Sequence, residues 1–135
     1  MSYEVLDHTA DMKFRVRGRT LAEAFAEAAR AVCETMAPNC TPAGIERRIE
    51  VESEDTESLL ADFLSEILYL SDAESLVFCS FEVEIRGNRL TALCRGERFR
   101  REKHGGGAEI KGISYSGLSI YREGESYVLE IIADV

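Results

Sequence analysis

The chain has 135 residues, with 16 Lys and Arg against 25 Asp and Glu, and a formal net charge of −9 at pH 7. This length predicts one domain over residues 1–135, and a hydrophobic fraction of 45% excludes a disordered chain. The acidic balance argues against direct binding of a nucleic-acid backbone or of an anionic membrane. Apolar runs are short and no leader-like start is present, so we expect a soluble, cytoplasmic protein without a membrane segment.

The first half of the sequence predicts two strands and two helices in alternation. Residues 12–17 alternate apolar and basic side chains, which is typical of a strand with one buried face. A capping-box pattern, Thr-x-x-Glu, predicts a helix over residues 20–36. A short strand around residues 49–51 precedes a second amphipathic helix, predicted over residues 55–70.

The second half predicts mainly strands, over residues 76–86, 89–96, 109–121 and 125–133. Gly87-Asn88 is a typical two-residue hairpin turn between the first two strands, and the glycine-rich residues 102–107 predict a mobile loop. Together these elements predict an α+β fold in which two amphipathic helices pack on a mostly antiparallel or mixed sheet. TLAEAF and SLLADF leave open an internal duplication of a helix–strand unit, although any amphipathic helix gives this Leu–Phe spacing.

The four cysteines could in principle form two disulfides or one zinc site. They contain no CxxC pair, and only two histidines exist to complete a zinc shell. We therefore expect four reduced thiols, which behave as small hydrophobic side chains, with Cys40 as the most exposed of them.

Acidic residues at both ends of the chain are candidates for a metal site. Asp7, His8 and Asp11 lie within five residues, just before the first confident strand. Asp134 follows a strongly β-prone run, and Val135 adds a main-chain carboxylate next to it. If the ends meet, hard oxygen donors of this kind suit Ca²⁺, Mg²⁺ or Mn²⁺. The alternative is that Asp and Thr here only cap and turn the backbone.

Two basic features have alternative interpretations. Lys111 is either a contact for a partner or phosphate, or an edge-strand lysine that opposes aggregation. The five cations between residues 95 and 103 are either an RNA contact or a solvated face whose charges pair internally. Common catalytic signatures such as GxxxxGK[ST], GxSxG and HExxH are missing from the sequence.

Several motifs together resemble the archease family over nearly the whole chain and in the same order. They are YEVLDHTAD, the TLAEAFAEAA helix, LLADFLSEILYL, a loop histidine at His104, EIKGISYSGL, and a final Asp-Val. Two positions depart from the family pattern: Gly112 stands where Ala is commoner, and Ser116 stands where His is frequent.

The resemblance implies a protein cofactor rather than an enzyme. Archeases assist the GTP- and metal-dependent ligase of tRNA splicing and RNA repair, promoting its guanylylation and multiple turnover, so RNA would be contacted only through the ligase. The implied metal ligands are Asp11, Asp134 and Val135, usually with Ca²⁺. Lys111 is the implied activation residue, and the neighbouring motif residues His8 and Asp7 are further candidate contacts.

Two other functions remain open from the residues alone. The same carboxylates could hold Mg²⁺ or Mn²⁺ in a small phosphoesterase, with His8 as its general acid or base. Alternatively, the domain could be a general chaperone or modulator of RNA-processing enzymes.

Overall fold

The computed structural model describes residues 1–6 and 11–135, and it contains eight strands and three helices within them. In chain order these are β1 (Ser2–Leu6), β2 (Asp11–Gly18), α1 (Leu21–Met36), β3 (Ile45–Glu52), α2 (Thr56–Glu74), β4 (Leu76–Arg86), β5 (Arg89–Arg98), α3 (Arg101–His104), β6 (Gly112–Ile113), β7 (Ser119–Glu123) and β8 (Ser126–Asp134).

The strands form two antiparallel sheets and not the single sheet that the pattern suggested. The first has the order β1-β2-β8-β6, with β7 also paired to β8, and the second has the order β3-β5-β4. Helix α1 packs against β2 of the first sheet and β4 of the second, so one helix covers an apolar face of each. The α+β class is confirmed, and the internal duplication stays a prediction.

Helix α1 begins where the capping box predicted it. Thr20 Oγ1 accepts the Glu23 N–H at 3.0 Å, and the Glu23 carboxylate accepts the Arg19 N–H at 3.0 Å. The first bond satisfies a backbone donor that the first helical turn would otherwise leave unpaired, and the second ties the residue before the N-cap to the helix. The predicted apolar face is buried through Phe25 and Val32, which anchors the helix between the sheets.

Helix α2 is one turn longer than its apolar pattern indicated. It begins after Asp55, whose carboxylate accepts the Ser58 N–H at 2.7 Å, and it ends at Glu74 rather than near residue 70. The extra turn is polar, so hydrophobic spacing does not reveal it. Phe63 of α2 stacks on Phe25 of α1 with ring centroids 6.3 Å apart, which joins the two helices in the core.

The hairpin between β4 and β5 is confirmed, with Gly87 at φ +61° and Arg86 opposite Arg89. Glycine adopts this positive φ without the steric cost that other residues meet. No helix in the described ranges is long and apolar enough to cross a membrane.

The prediction of a mobile loop over residues 102–107 is wrong for residues 102–104, and it did not foresee that Gly107 packs closely against a helix end. Residues 101–104 form helix α3, and His104 is buried at 1% exposure. Gly107 lies so close to the end of α1 that an added Cβ would stand 2.0 Å from the Met36 carbonyl oxygen. The next residue, Ala108, donates its N–H to Thr35 O at 3.1 Å. The glycine there serves close packing against a helix end.

The expectation of four reduced cysteines is also wrong, because Cys40 and Cys79 form a disulfide. Their Cα atoms are 5.8 Å apart across a sequence separation of 39, a pairing that only the tertiary fold creates. The other two cysteines, Cys33 and Cys94, are free and buried as expected. Burial raises the pKa of both thiols, that of Cys94 to about 12, so both stay protonated at neutral pH.

Candidate functional site

The register between β2 and β8 brings the two predicted acidic ligands together. Asp11 is the first residue of β2 and Asp134 the last of β8, and the two are directly opposite each other in the ladder. Residues opposite each other in an antiparallel pair direct their side chains to the same face. Asp134 is exposed and Asp11 is partly exposed, so this face is reachable from solvent. We call Asp11 and Asp134 the acidic pair.

Val135 and Lys111 lie beside the acidic pair. Val135 directly follows Asp134 and is 46% exposed. The Lys111 N–H donates to the Asp134 carbonyl at 2.8 Å, and Gly112 is opposite Asp134 in the β6–β8 pairing. Four residues that the sequence marked out therefore meet at one end of the first sheet, where β2 begins and β8 finishes, although they come from three separate parts of the chain.

The remaining two candidates, Asp7 and His8, lie outside the described residues. Within residues 1–6 and 11–135, no group of three or more His, Cys, Asp and Glu side chains is arranged to hold a metal. The acidic pair contributes two such side chains, and a main-chain oxygen of the neighbouring Val135 is a candidate third donor. Two carboxylates and a main-chain oxygen are a donor set suited to a hard divalent cation.

Glu130 is the centre of a group of ion pairs and hydrogen bonds on the strands that carry the acidic pair. Its carboxylate accepts the Tyr121 hydroxyl at 2.7 Å and the Arg15 Nε–H at 3.3 Å, and it lies 3.4 Å from Lys13 Nζ. These contacts, the Tyr121 hydrogen bond first, lower the pKa of Glu130. The two cations nearest to Asp11 on β2 are thus paired with Glu130.

A second polar cluster, the Glu97 cluster, consists of Glu97, Thr41, Lys103 and His104. The Glu97 carboxylate contacts Lys103 Nζ at 2.8 Å, the Thr41 N–H at 2.8 Å and His104 Nε2 at 3.0 Å. Lys103, His104 and Thr41, in that order, lower the pKa of Glu97 to about 2. Because His104 Nδ1 accepts the Arg100 N–H at 2.9 Å, its Nε2 is the nitrogen that donates to Glu97.

In the basic stretch between residues 95 and 103, three of the five cations are paired with carboxylates, which favours the second interpretation. Arg95 contacts Glu46 at 2.9 Å and Glu82 at 3.3 Å. Arg100 and Lys103 pair with Glu97. Pairing of this kind leaves few cations of the stretch to neutralise a phosphate backbone.

Two adjoining hollows run along α2 and form what we call the α2 groove. The larger, about 800 Å³, is lined by apolar residues including Leu76, Phe78 and Ile110, with Lys111 at one side. The smaller, about 450 Å³, is lined by six residues, of which three are carboxylates: Glu52, Asp62 and Glu66. Ser65 and Tyr69 line both hollows, so the two lie side by side along the helix.

Sequence reasoning missed the Glu97 cluster, the disulfide and the α2 groove. Each depends on residues far apart in the chain; Glu97 and Thr41, for example, are separated by 56 positions. The sequence carries no local signal for the groove, because the 64% exposure of its aromatic residue Tyr69 is visible only in the structure.

Comparison with known proteins places the chain among relatives of similar length. Residues 3–135 match the family described as "Archease protein family (MTH1598/TM1083)". A protein named archease from Pyrococcus furiosus is 38% identical, covering 98% of both chains, and one from Methanosarcina mazei is 37% identical, covering 98% of this chain and 95% of its own. A solution structure of Methanobacterium thermoautotrophicum protein 1598 aligns with a TM-score of 0.86 at 35% identity, covering 98% of both chains. A Thermotoga maritima crystal structure, described as an archease and possible chaperone, has a TM-score of 0.69 at 22% identity and supports the fold alone; it covers 96% of this chain and 94% of its own.

Proposed function

The chain belongs to the archease family, and on that premise we propose that it is an accessory protein of the cytoplasmic RNA ligase of tRNA splicing. In this role it promotes guanylylation of the ligase and lets it turn over repeatedly, without catalysing a reaction itself. The observation that carries the proposal is the pairing of Asp11 with Asp134, with Lys111 bound to the Asp134 carbonyl at 2.8 Å.

The acidic pair is the proposed seat of a divalent metal, with Ca²⁺ as the favoured ion and Mg²⁺ or Mn²⁺ as alternatives. Two carboxylates on opposite residues repel each other unless a cation or proton lies between them, and their oxygens are the donors that Ca²⁺ prefers. The main-chain carboxylate of Val135 is the proposed third ligand. Bound there, the ion would supply a positive charge that fixes this end of the sheet and attracts acidic or phosphate groups of the ligase.

Lys111 is the proposed activation residue next to this site. Its backbone N–H is held by the hydrogen bond to the Asp134 carbonyl, and Lys111 itself is exposed to solvent. A lysine held in this way offers a point charge to a phosphate or carboxylate on the partner. His8 and Asp7, which precede Asp11 in the same motif, are proposed to contact the ligase there too.

RNA is proposed to be held by the ligase and not by this protein. The formal net charge of −9 opposes a phosphate backbone, and Arg95, Arg100 and Lys103 are paired with carboxylates. The same acidity favours association with a basic surface on a protein partner, since complementary charge speeds encounter.

The test is multiple-turnover ligation of RNA by the cognate ligase with and without this protein. Wild-type protein should raise the number of turnovers, and Asp11→Asn, which removes a charge at nearly constant shape, should abolish that effect. Glu50→Gln is the matched control, because Glu50 is 66% exposed on the second sheet, away from the acidic pair. Stimulation by Asp11→Asn equal to that by wild type would refute a role for the acidic pair.

A general chaperone role is the second candidate, favoured by the exposed aromatic residues Tyr69 and Phe99 beside the larger apolar hollow. The two candidates separate in one further assay. Suppression of the aggregation of unrelated proteins, with no effect on ligase turnover, would support the chaperone and refute the ligase activator.

A further inference from the structure

The α2 groove has the dimensions of a site for an extended peptide segment. Its α2 side is formed by residues 62, 65, 66, 68, 69, 71 and 72, which lie on one side of the helix because they follow three- and four-residue steps. From residue 62 to residue 72 the helix rises about 15 Å, at about 1.5 Å per residue. An extended chain covers that length with about five residues.

The larger hollow of the groove is suited to a bulky apolar side chain. Its floor contains Leu76 and Phe78, which are buried in the core. At its rim stand two aromatic residues that the fold leaves exposed, Tyr69 at 64% and Phe99 at 47%. Exposed aromatic side chains around an apolar hollow are typical of contact residues, since they bury much area with few rotatable bonds.

The charges along the groove select a basic partner. Five carboxylates line the two hollows against one lysine: Glu52, Asp62, Glu66, Asp72 and Glu109, with Lys111. Two of the five have partners, because Glu52 pairs with Arg89, and Asp62 accepts the Ser53 hydroxyl at 2.6 Å and the Tyr115 hydroxyl at 2.5 Å. In the described part of the chain, no Lys, Arg or His nitrogen forms an ion pair with the other three. Their combined charge disfavours an acidic or nucleic-acid occupant and favours Lys or Arg.

We propose that the α2 groove docks a protein segment in which one or two bulky apolar side chains lie next to Lys or Arg residues. The apolar side chains enter the larger hollow against Tyr69 and Phe99, and the basic side chains reach Glu66 in the smaller hollow and Asp72 at the groove edge. That the segment belongs to the RNA ligase rests on the proposed function. The groove then supplies binding affinity, while the end of the sheet that carries the acidic pair supplies activation.

The first test measures the affinity of the protein for the ligase without RNA, by biolayer interferometry. Tyr69→Ala and the double charge reversal Glu66→Lys with Asp72→Lys should each raise Kd by about tenfold or more, as loss of a central contact does. The double control Glu84→Lys with Glu123→Lys reverses the same number of charges at two exposed carboxylates that do not line the groove, and it should leave Kd unchanged. Groove variants that bind the ligase as tightly as wild type would overturn the inference while leaving the proposed function intact.

The second test uses a probe that does not depend on the ligase. It is a fluorescein-labelled peptide of two leucines followed by three arginines, compared by fluorescence anisotropy with the same peptide carrying glutamates in place of the arginines. If only the arginine peptide binds, and Tyr69→Ala abolishes that binding, the proposed groove chemistry is supported. Failure of the wild-type protein to bind the ligase would refute the proposed function, but it would not change this conclusion about the groove. Failure of the arginine peptide to bind, or equal binding of both peptides, would overturn the inference.

Discussion

Reduction of the Cys40–Cys79 disulfide should lower the stability of the domain strongly. The bond closes a loop over a sequence separation of 39, and the loss of unfolded-state chain entropy for a loop of that length corresponds to about 4 kcal/mol at 25 °C. Unfolding entropy of about 2.1 cal/mol/K per residue over 135 residues converts this into a fall in Tm of about 14 °C. Local contacts such as the Thr41–Glu97 hydrogen bond stabilise the folded state of the oxidised and the reduced protein alike. They therefore do not compensate for the chain entropy that the unfolded state gains on reduction.

The assay is urea unfolding with and without a phosphine reductant, on wild type and on the double variant Cys40→Ser with Cys79→Ser. Both cysteines are only partly buried, so serine should add little cost of its own. The double variant should resemble reduced wild type, and the reductant should not change it further, because Cys33 and Cys94 are already free. Unchanged unfolding free energy after reduction, in protein whose disulfide mass spectrometry has verified, would refute the reasoning.

Two further perturbations test the packing around the Glu97 cluster and the end of α1. The pKa of Glu97 is lowered to about 2 in the folded state, against about 4.3 when unfolded, so its contribution to stability is present above about pH 5 and is lost as the pH falls toward 2. The urea midpoint of unfolding should therefore fall less steeply in Glu97→Gln than in wild type as the pH decreases from about 5 toward 2. An equally steep fall in the two proteins would contradict this. Gly107→Ala forces a Cβ to within 2.0 Å of a backbone oxygen and should cost about 1–3 kcal/mol in urea unfolding. Gly112→Ala, whose Cβ would meet only Asp134 Oδ2 at 3.8 Å, is the matched control, and equal costs for the two variants would show that the close approach is not limiting.

The elements with local signals were predictable from the sequence. The start of α1 follows from a hydrogen-bond pattern confined to four residues, and the β4–β5 hairpin follows from the glycine at its turn. The end of α2 was missed because its last turn is polar and Ser75, not glycine, adopts the left-handed conformation there, at φ +55°. Local propensity gives no warning of such an ending.

Features built from distant residues were not predictable in this way. His104 looked like part of a mobile loop because three glycines follow it, but its burial depends on Glu97 and on the backbone of Arg100. The Cys40–Cys79 pairing depends on how the segment after α1 lies against β4.

The candidate site is a mixed case. Composition indicated that acidic residues at both ends were unusual, but spacing could not bring Asp11 to Asp134. The family resemblance implied that they meet, and the β2–β8 register places them opposite each other. Their role as metal ligands, with Val135, stays a prediction.

The most direct test of the proposed site is transfer of labelled GMP from GTP to the ligase, measured with wild-type protein and with Asp134→Asn. Wild-type protein supplied with Ca²⁺ should accelerate guanylylation, and Asp134→Asn of equal thermal stability should leave the ligase at its unassisted rate. Glu50→Gln should behave as wild type. Acceleration by Asp134→Asn equal to that of wild type would contradict the proposal that the acidic pair activates the ligase.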